Sequence, residues 1–471
     1  MLFTLVVFVS LLGVLSALNA VMTARTSQGA TAWVISLITL PYIAIPLYWF
    51  FGRSKFNGYT VARKEAEKLV NKKLKDVVTQ AKNYTPDESS LGIFESTAQQ
   101  LVKMPYLQAN ALDLLIDGEK TFQSIFAGID EAKKYILLKF YIIRDDTLGL
   151  QIQHALIQKA KEGVQIYFLY DEIGSYQLSQ GYLDTMRQAG IQVYNFHTQK
   201  GIRNRFQINF RNHRKIVVID GKSAWIGGHN IGDEYLSKSK KFGHWRDTHI
   251  KITGASVIAV QKTFIEDWYW ATESFIKHLQ WNPIPSQKEN KKILIVPSSP
   301  ADRLETASLM FIQAINAAKK RIWISSPYFV PDGAISKALQ LAGLRGVDVR
   351  ILIPDKADHI LVYLAAFTYF KNVGATGVKF FRYNNGFLHQ KVMLIDDSHA
   401  TVGTANLDNR SLRLNFEITA LITDKPFTQE IKAMFENDFK HAYEINITEI
   451  EKKSFLFKLI TRLARLTSPV L

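Results

Sequence analysis

Cysteine is absent from all 471 residues, which excludes disulfides, thiolate metal sites and a cysteine nucleophile. Charge is absent from two long stretches, since residues 2–22 and 32–51 contain no Asp, Glu, Lys or Arg. Each stretch approaches the ~20 apolar residues that a helix needs to cross a bilayer. Acid is in deficit throughout, with 42 Asp and Glu against 58 Lys and Arg and a formal net charge of +16. Such a balance suits an anionic partner: a nucleic acid, an anionic membrane surface or a phosphorylated substrate. Any catalysis must rest on His, carboxylates, hydroxyls or Lys.

The two uncharged stretches choose the membrane. A cleaved signal peptide does not fit the first, because a basic n-region is missing and a second apolar run follows almost at once. The pair reads as a transmembrane hairpin with Pro41 and Pro46 kinking the second span and Trp33, Tyr48 and Trp49 as interfacial anchors. Between the spans only Arg25 is charged, whereas Arg53, Lys55, Arg63, Lys64, Lys68, Lys72, Lys73 and Lys75 follow the second. The positive-inside rule then puts the loop outside and the remaining chain in the cytoplasm, as an integral, multi-pass protein of a cytoplasmic membrane.

Beyond a basic helical spacer the chain repeats itself. Ile129-Asp130-Glu131-Ala132-Lys133-Lys134-Tyr135-Ile136 reappears as Ile315-Asn316-Ala317-Ala318-Lys319-Lys320-Arg321-Ile322, and in each copy a helix ends at a Lys pair and a strand begins. Alternating helices and short buried strands predict two pseudo-symmetric α/β lobes. The expected boundaries are a hairpin over 1–52, a spacer over 53–110, lobes over 111–285 and 286–450, and a basic amphipathic tail over 451–471. In the tail, Phe455, Leu456, Leu459, Ile460, Leu463 and Leu466 share one side and Lys458, Arg462 and Arg465 another. That helix either lies in the headgroups of an anionic membrane or docks on the second lobe.

Each lobe carries one further signature. His213-Arg214-Lys215 leads to Asp220, Gly227, Gly228 and Asn230, and His389-Gln390-Lys391 leads to Asp396, Gly403 and Asn406. Both read His-x-Lys-x4-Asp with an Asn seventeen residues after the His. Alternation along a strand puts His213 and Lys215 on one face and Asp220 on the other. Asp220-Gly221 is moreover a hairpin turn signal, so a structural role competes with a catalytic one for Asp220 and Asp396.

His, Lys and Asn together make a phosphate site. Lys supplies a point charge, Asn an amide donor, and the glycines let the backbone pass close to substrate. Two half-sites facing each other put one His on either side of a phosphorus, one to attack and one to protonate the leaving oxygen. Lys215, Lys391, Asn230 and Asn406 can stabilise the non-bridging oxygens, so the chemistry calls for no metal and no cofactor. Downstream carboxylates, Asp247 and Glu417, are the candidates to orient the two imidazoles.

With these motifs the chain resembles the phospholipase D superfamily, and within it the bacterial cardiolipin synthases that carry two such motifs. The resemblance covers essentially the whole chain, including Leu47-Tyr48-Trp49-Phe50-Phe51-Gly52, Gly227-Gly228-His229-Asn230-Ile231-Gly232-Asp233-Glu234-Tyr235, Gly403-Thr404-Ala405-Asn406-Leu407-Asp408-Asn409-Arg410-Ser411 and the closing Ser468-Pro469-Val470-Leu471. It implies transfer of a phosphatidyl group between two phosphatidylglycerol molecules, with release of glycerol. It implies His213 as nucleophile and His389 as general acid and base, although the pseudosymmetry permits the reverse. A hydrolase using water as acceptor, or a membrane-anchored nuclease, would use the same residues. No nucleic-acid-binding motif is evident in either lobe, and the apolar N-terminus favours a lipid.

The remaining histidines, His197, His229, His244, His249, His359 and His399, lack metal-ligand spacing and read as packed or hydrogen-bonded residues. The basic run Lys200, Arg203, Arg205 and Arg211 beside the first motif is either a solvated face or a headgroup contact. Tyr141 and Tyr328 read as packing residues, and Asp408, Arg410 and Ser411 as supports around Asn406.

Overall fold

The fold is taken from a computed structural model, which describes residues 1–52, 55–56, 58–65, 80–198 and 209–470. Both lobes contribute to one continuous sheet that is palindromic about its centre. Strand Leu107–Ile116 of the first lobe pairs antiparallel with Lys291–Ser298 of the second, through Leu107↔Ile293 and Asn110↔Lys291. Outward from this seam each half repeats the same order. In the first half the strands run Thr248–Gly254, Ser223–Gly227, Ile216–Ile219, Tyr135–Phe140, Gln165–Asp171 and Gln192–Phe196. In the second they run Asn415–Thr423, His399–Gly403, Val392–Ile395, Arg321–Ser325, Asp348–Pro354 and Lys379–Tyr383, with Ala442–Glu444 on the edge.

The outer strands are parallel and joined through helices, so they are apolar on both faces; Tyr135–Phe140 is buried at every position. One core belongs to both lobes. It joins Ile250, Ile252 and Phe264 to Ile293, Phe416, Ile422 and Phe435, all with no exposed surface. Phe56, just past the membrane segment, is driven into this shared core, stacked on Phe210 and set edge-on to Trp270 and Phe416. The helix Ile93–Val102 buries Phe94 and Ala98 in the second lobe's own core.

The N-terminal segment differs from the expected hairpin. Helix α1 (Leu2–Thr23) is long and apolar enough to cross a membrane. The second apolar run breaks into α2 (Ser27–Thr39) and α3 (Pro41–Phe51), because Leu40 leaves helical geometry and Pro41 starts a new first turn. The break reverses the chain. Trp33 and Tyr48 have ring centroids 5.2 Å apart, whereas in one straight helix they would be separated by about 22 Å. Tyr48 donates to Asn19 Oδ1 at 2.7 Å and Trp49 Nε1 to Ser16 Oγ at 3.1 Å, so α3 runs back alongside the C-terminal half of α1. Gly13 admits the turn, since a Cβ there would lie 2.6 Å from the Leu37 carbonyl oxygen. Arg25, expected across the membrane from the lobes, pairs with Glu305 of the second lobe at 3.2 Å.

The tail helix Phe455–Leu466 takes the second alternative, docking on the second lobe. It docks on Ile360–Gly374, with Phe457 edge-on to Phe367 and with Thr461 and Ala464 buried. Phe455, Leu456, Leu459, Ile460, Leu463 and Leu466 face outward and are exposed. The result is an apolar surface carried by a docked helix.

Candidate active site

Two short parallel ladders stitch the lobes together and position the motifs. Arg211 and Asn212 pair with Asn415 and Phe416, and Phe387 and Leu388 pair with Trp245 and Arg246. Each motif His continues its ladder: His213 N–H donates to the Phe416 carbonyl at 2.9 Å and His389 N–H to the Arg246 carbonyl at 2.8 Å. The next residue on each opposing strand is a carboxylate. His213 Nδ1 therefore meets Glu417 at 2.9 Å and His389 Nδ1 meets Asp247 at 2.7 Å.

The pairs are crossed between lobes. The expected downstream carboxylate holds for His213, but Glu417 lies in the other lobe, and His389 takes Asp247, which precedes it in the chain. Proximity in sequence is overridden because the ladders bring each motif to the opposite lobe's strand. With Nδ1–H donating to a carboxylate, each imidazole presents Nε2 for chemistry. Gly228 is needed for this geometry, since a Cβ there would sit 1.9 Å from Asp247 Oδ1. The glycines after the motifs thus clear space for the opposing strand; Gly227 packs on His249 and Gly403 on Thr419.

Burial governs the proton balance. Both motif imidazoles are 7% exposed, and Lys215, Asp247 and Glu417 are completely buried. Burial pushes the His213 imidazole down to about 4 against the pull of Glu417. It also pushes His389 well below its ordinary value, helped by the Lys391 and Lys215 ammonium groups. The Lys391 ammonium is lowered by burial to about 8, with Asp247 and Glu417 opposing, and Lys215 falls well below the usual lysine range for the same reason. Glu417 stays ionised despite burial because His213 and Lys215 stand beside it. An anion placed among these groups would raise the proton affinity of each imidazole and ammonium.

Each Lys donates to the carbonyl oxygen of its own motif His, Lys215 at 2.8 Å and Lys391 more closely, and Lys391 Nζ lies 2.9 Å from His389 Nδ1. An ammonium has three donors, so two remain for phosphoryl oxygens. Asn230 is already engaged on both sides, accepting from Ile142 N–H and donating to Tyr235 Oη. Asn406 is buried with Oδ1 unpartnered.

Asp220 and Asp396 are not brought to the histidines. Asp220 accepts from the backbone N–H groups of Lys133, Lys134 and Tyr135, and Asp396 from those of Lys319, Lys320 and Arg321. Both hold the turn before the strand that flanks the motif, at the strand end remote from His213 or His389. Their φ values of 52° and 51° mark the turn they close. Of the two competing roles, the structure therefore gives Asp220 and Asp396 the scaffolding one and not the catalytic one, in keeping with the alternation along the strand.

A family model described as "Cardiolipin synthase, PLD-like domain" matches residues 125–268 and 311–439, one match per lobe. The chain belongs to this family. A cardiolipin synthase A of Pseudomonas entomophila (strain L48) is 45% identical over 99% of this chain and 98% of its own length. That of Pseudomonas syringae pv. syringae (strain B728a) is 46% identical over 98% and 97%. Among solved structures, phosphatidylserine synthase of Haemophilus influenzae Rd KW20 superposes with a TM-score of 0.58 at 15% identity, covering 80% of this chain and 100% of that one. Polyphosphate kinase of Porphyromonas gingivalis gives 0.50 at 12%, covering 77% and 53%. These two share the fold.

Sequence reading missed the layer behind the histidines. Arg214, between His213 and Lys215, is buried and donates to the Glu417 carbonyl at 3.0 Å and to Asp267 at 2.9 Å; Lys139 and Tyr59 also bind Asp267. In the second lobe Gln390 and Arg246 converge on Asp438, at 2.6 and 2.7 Å. The one available signal was that Asp267 and Asp438 occupy like positions on the helix after each carboxylate-bearing strand. Ser411 donates to Glu417 at 2.8 Å, Asp408 caps the Ser411 N–H, and Arg410 binds Asn209. The Tyr141 ring stands edge-on to His213 at 5.0 Å, which makes it a contact of the site, whereas Tyr328 turns to Asp358. His229 and His249 pair with each other at 3.1 Å, His244 binds Asp117 and His399 binds Glu95. Lys200, Arg203 and Arg205 lie outside the described residues.

Proposed function

We propose that this chain condenses two molecules of phosphatidylglycerol into cardiolipin and glycerol through a phosphatidyl-histidine. The crossed pairing of two buried imidazoles with two buried carboxylates at the lobe seam carries the reading. Glu417 holds the Nδ1 proton of His213, leaving the Nε2 lone pair to attack phosphorus. As the P–N bond forms, the bond to the headgroup glycerol breaks and His389 gives that oxygen its proton. A hydroxyl of a second phosphatidylglycerol then returns a proton to His389 and attacks phosphorus, and the P–N bond breaks to restore His213. Lys215 and Lys391 neutralise the non-bridging oxygens. The incoming phosphodiester supplies the negative charge that raises the proton affinity of His389 enough for it to act as acid.

Preference for a lipid acceptor over water rests on positioning, which for well-aligned groups reaches effective concentrations of ~10⁵ M or more. The protein is membrane-associated, and we place its lobes on the cytoplasmic face of a bacterial cytoplasmic membrane. A single crossing by α1 supports this: with α2 and α3 folded back, Arg25 comes to the side of the lobes, where the positive-inside rule puts basic residues. The test is a product assay on full-length protein in mixed micelles of detergent and phosphatidylglycerol with EDTA present. Cardiolipin with one glycerol released per molecule is expected; phosphatidic acid as the main product would make the enzyme a hydrolase.

A further inference from the structure

A cavity of about 1280 Å³ lies apart from the histidine centre. It opens between the fold-back of α2 and α3, the tail helix and the second lobe, beyond the usual ~300–1,000 Å³ of a small-ligand pocket. Its lining includes the cations Arg25, Lys55, Lys337, Lys371, Arg413 and Arg465 against two carboxylates, Glu305 and Asp332. Those carboxylates are already taken, Glu305 by Arg25 and Arg413, and Asp332 by Arg413. Lys55 caps the Asp302 carbonyl at 2.6 Å and Arg465 stacks on Tyr369, and neither they nor Lys337 has an acidic partner among the described residues. Part of the lining is exposed and apolar: Phe51 on the fold-back, Leu304 on the second lobe and Leu466 on the tail helix. One short helix, Asn409–Arg413, forms the wall towards the chemistry. Its Asn409, Leu412 and Arg413 line the cavity while its Ser411 holds Glu417.

We propose that this cavity is a second site for an anionic diacylphospholipid, separate from the phosphate position between His213 and His389. The lipid's phosphodiester sits among Lys55, Lys337 and Arg465, and its acyl chains run out along the fold-back and the tail helix into the bilayer. The occupant follows from the surplus of cations, from the exposed apolar part of the lining and from a volume too large for a headgroup alone. The inference rests on the membrane reading above but not on the identity of the transferred group. A lipid held there waits one helix thickness from Glu417, beside the reaction and outside it.

The test uses full-length His213→Ala protein, which cannot consume its ligand, purified in detergent and titrated with phosphatidylglycerol or phosphatidylcholine, with retained lipid counted by native mass spectrometry. Retention of phosphatidylglycerol over phosphatidylcholine is expected, falling at least about tenfold in apparent affinity in the added K337E/R465E double change. Gly333→Trp supplies a second variant that acts by filling the space: Gly333 lines the cavity and a Cβ there meets nothing within 4 Å. It should remove one retained phosphatidylglycerol per protein, apart from any held at the histidine centre, without lowering the melting temperature. Equal retention of both lipids, or retention unchanged in both variants, would overturn the proposal. Failure of the function would appear elsewhere, as an absence of cardiolipin from the wild type while lipid retention persists.

Discussion

His389, in the second lobe, receives its orienting carboxylate from Asp247 of the first at 2.7 Å, and Glu417 returns the service to His213 at 2.9 Å. Each half of the chain thus owns one member of both pairs. Asp247→Asn and Glu417→Gln should each lower kcat by on the order of 10²–10⁴, as expected when an imidazole loses the group that fixes its tautomer. Steady-state transfer rates in micelles measure this, and a loss smaller than about fivefold in either variant would sink the assignment.

The nucleophile can be read directly. In Asp247→Asn the return of a proton to His389 is impaired, so the covalent intermediate should accumulate on His213. Acid quenching after mixing with labelled phosphatidylglycerol, followed by peptide mapping, locates the adduct. A label on the peptide of His389 would reverse the two roles.

The pH dependence has a definite sign. His213 is pushed down to about 4 and Lys391 to about 8. Attack needs a neutral His213, the leaving oxygen a protonated His389 and the phosphate a charged Lys391. Hence kcat/KM should rise through pH 4, decline as the free His389, held well below the ordinary imidazole range, loses its proton, and fall more steeply through pH 8. Binding an oxyanion such as vanadate then raises the proton affinity of Lys391, and calorimetry near pH 8 in buffers of different ionisation enthalpy should record proton uptake. Proton release, or none, would contradict the charge balance of the site.

Asp220 and Asp396 are predicted to matter for stability rather than chemistry. Replacing Asp220 by Ala strands three backbone N–H groups, at a cost of about 2–3 kcal/mol. A lowered melting temperature with kcat per folded molecule within about threefold of wild type is the expected pairing. A loss of a thousandfold with unchanged melting would restore a catalytic role.

The missing cysteines provide a clean background for topology. A thiol introduced as Gln28→Cys, in the exposed first turn of α2, should label from the same side of the membrane as the lobes, and a tag at the N-terminus from the opposite side. Labelling of position 28 from the side opposite the lobes, with the N-terminal tag on the lobes' own side, would bring back the two-span hairpin.

The motifs were legible because their spacing recurs twice, and the lobes because the Ile-Lys-Lys segments recur with them. The crossing of the carboxylates was not legible, since nothing in a linear pattern reports that Phe416 and Arg246 accept hydrogen bonds from the opposite lobe's histidines. The fold-back of the second apolar run was missed for a related reason. Pro41 was read as a kink, but a proline after a residue that has left helical geometry starts a new helix, and only the pairing of Trp33 with Tyr48 gives its direction. Arg214 and Gln390 carried no signal, because a charged or amide residue between His and Lys is as easily exposed as buried.

The halves are joined at the central strands Leu107–Ile116 and Lys291–Ser298, in a shared core and through both crossed His–carboxylate pairs. A clamshell that parted to admit substrate would have to unzip the central ladder, open the core beneath it and separate both histidines from their carboxylates in the same motion. Transfer without such a parting keeps both imidazoles aligned on their carboxylates from one turnover to the next.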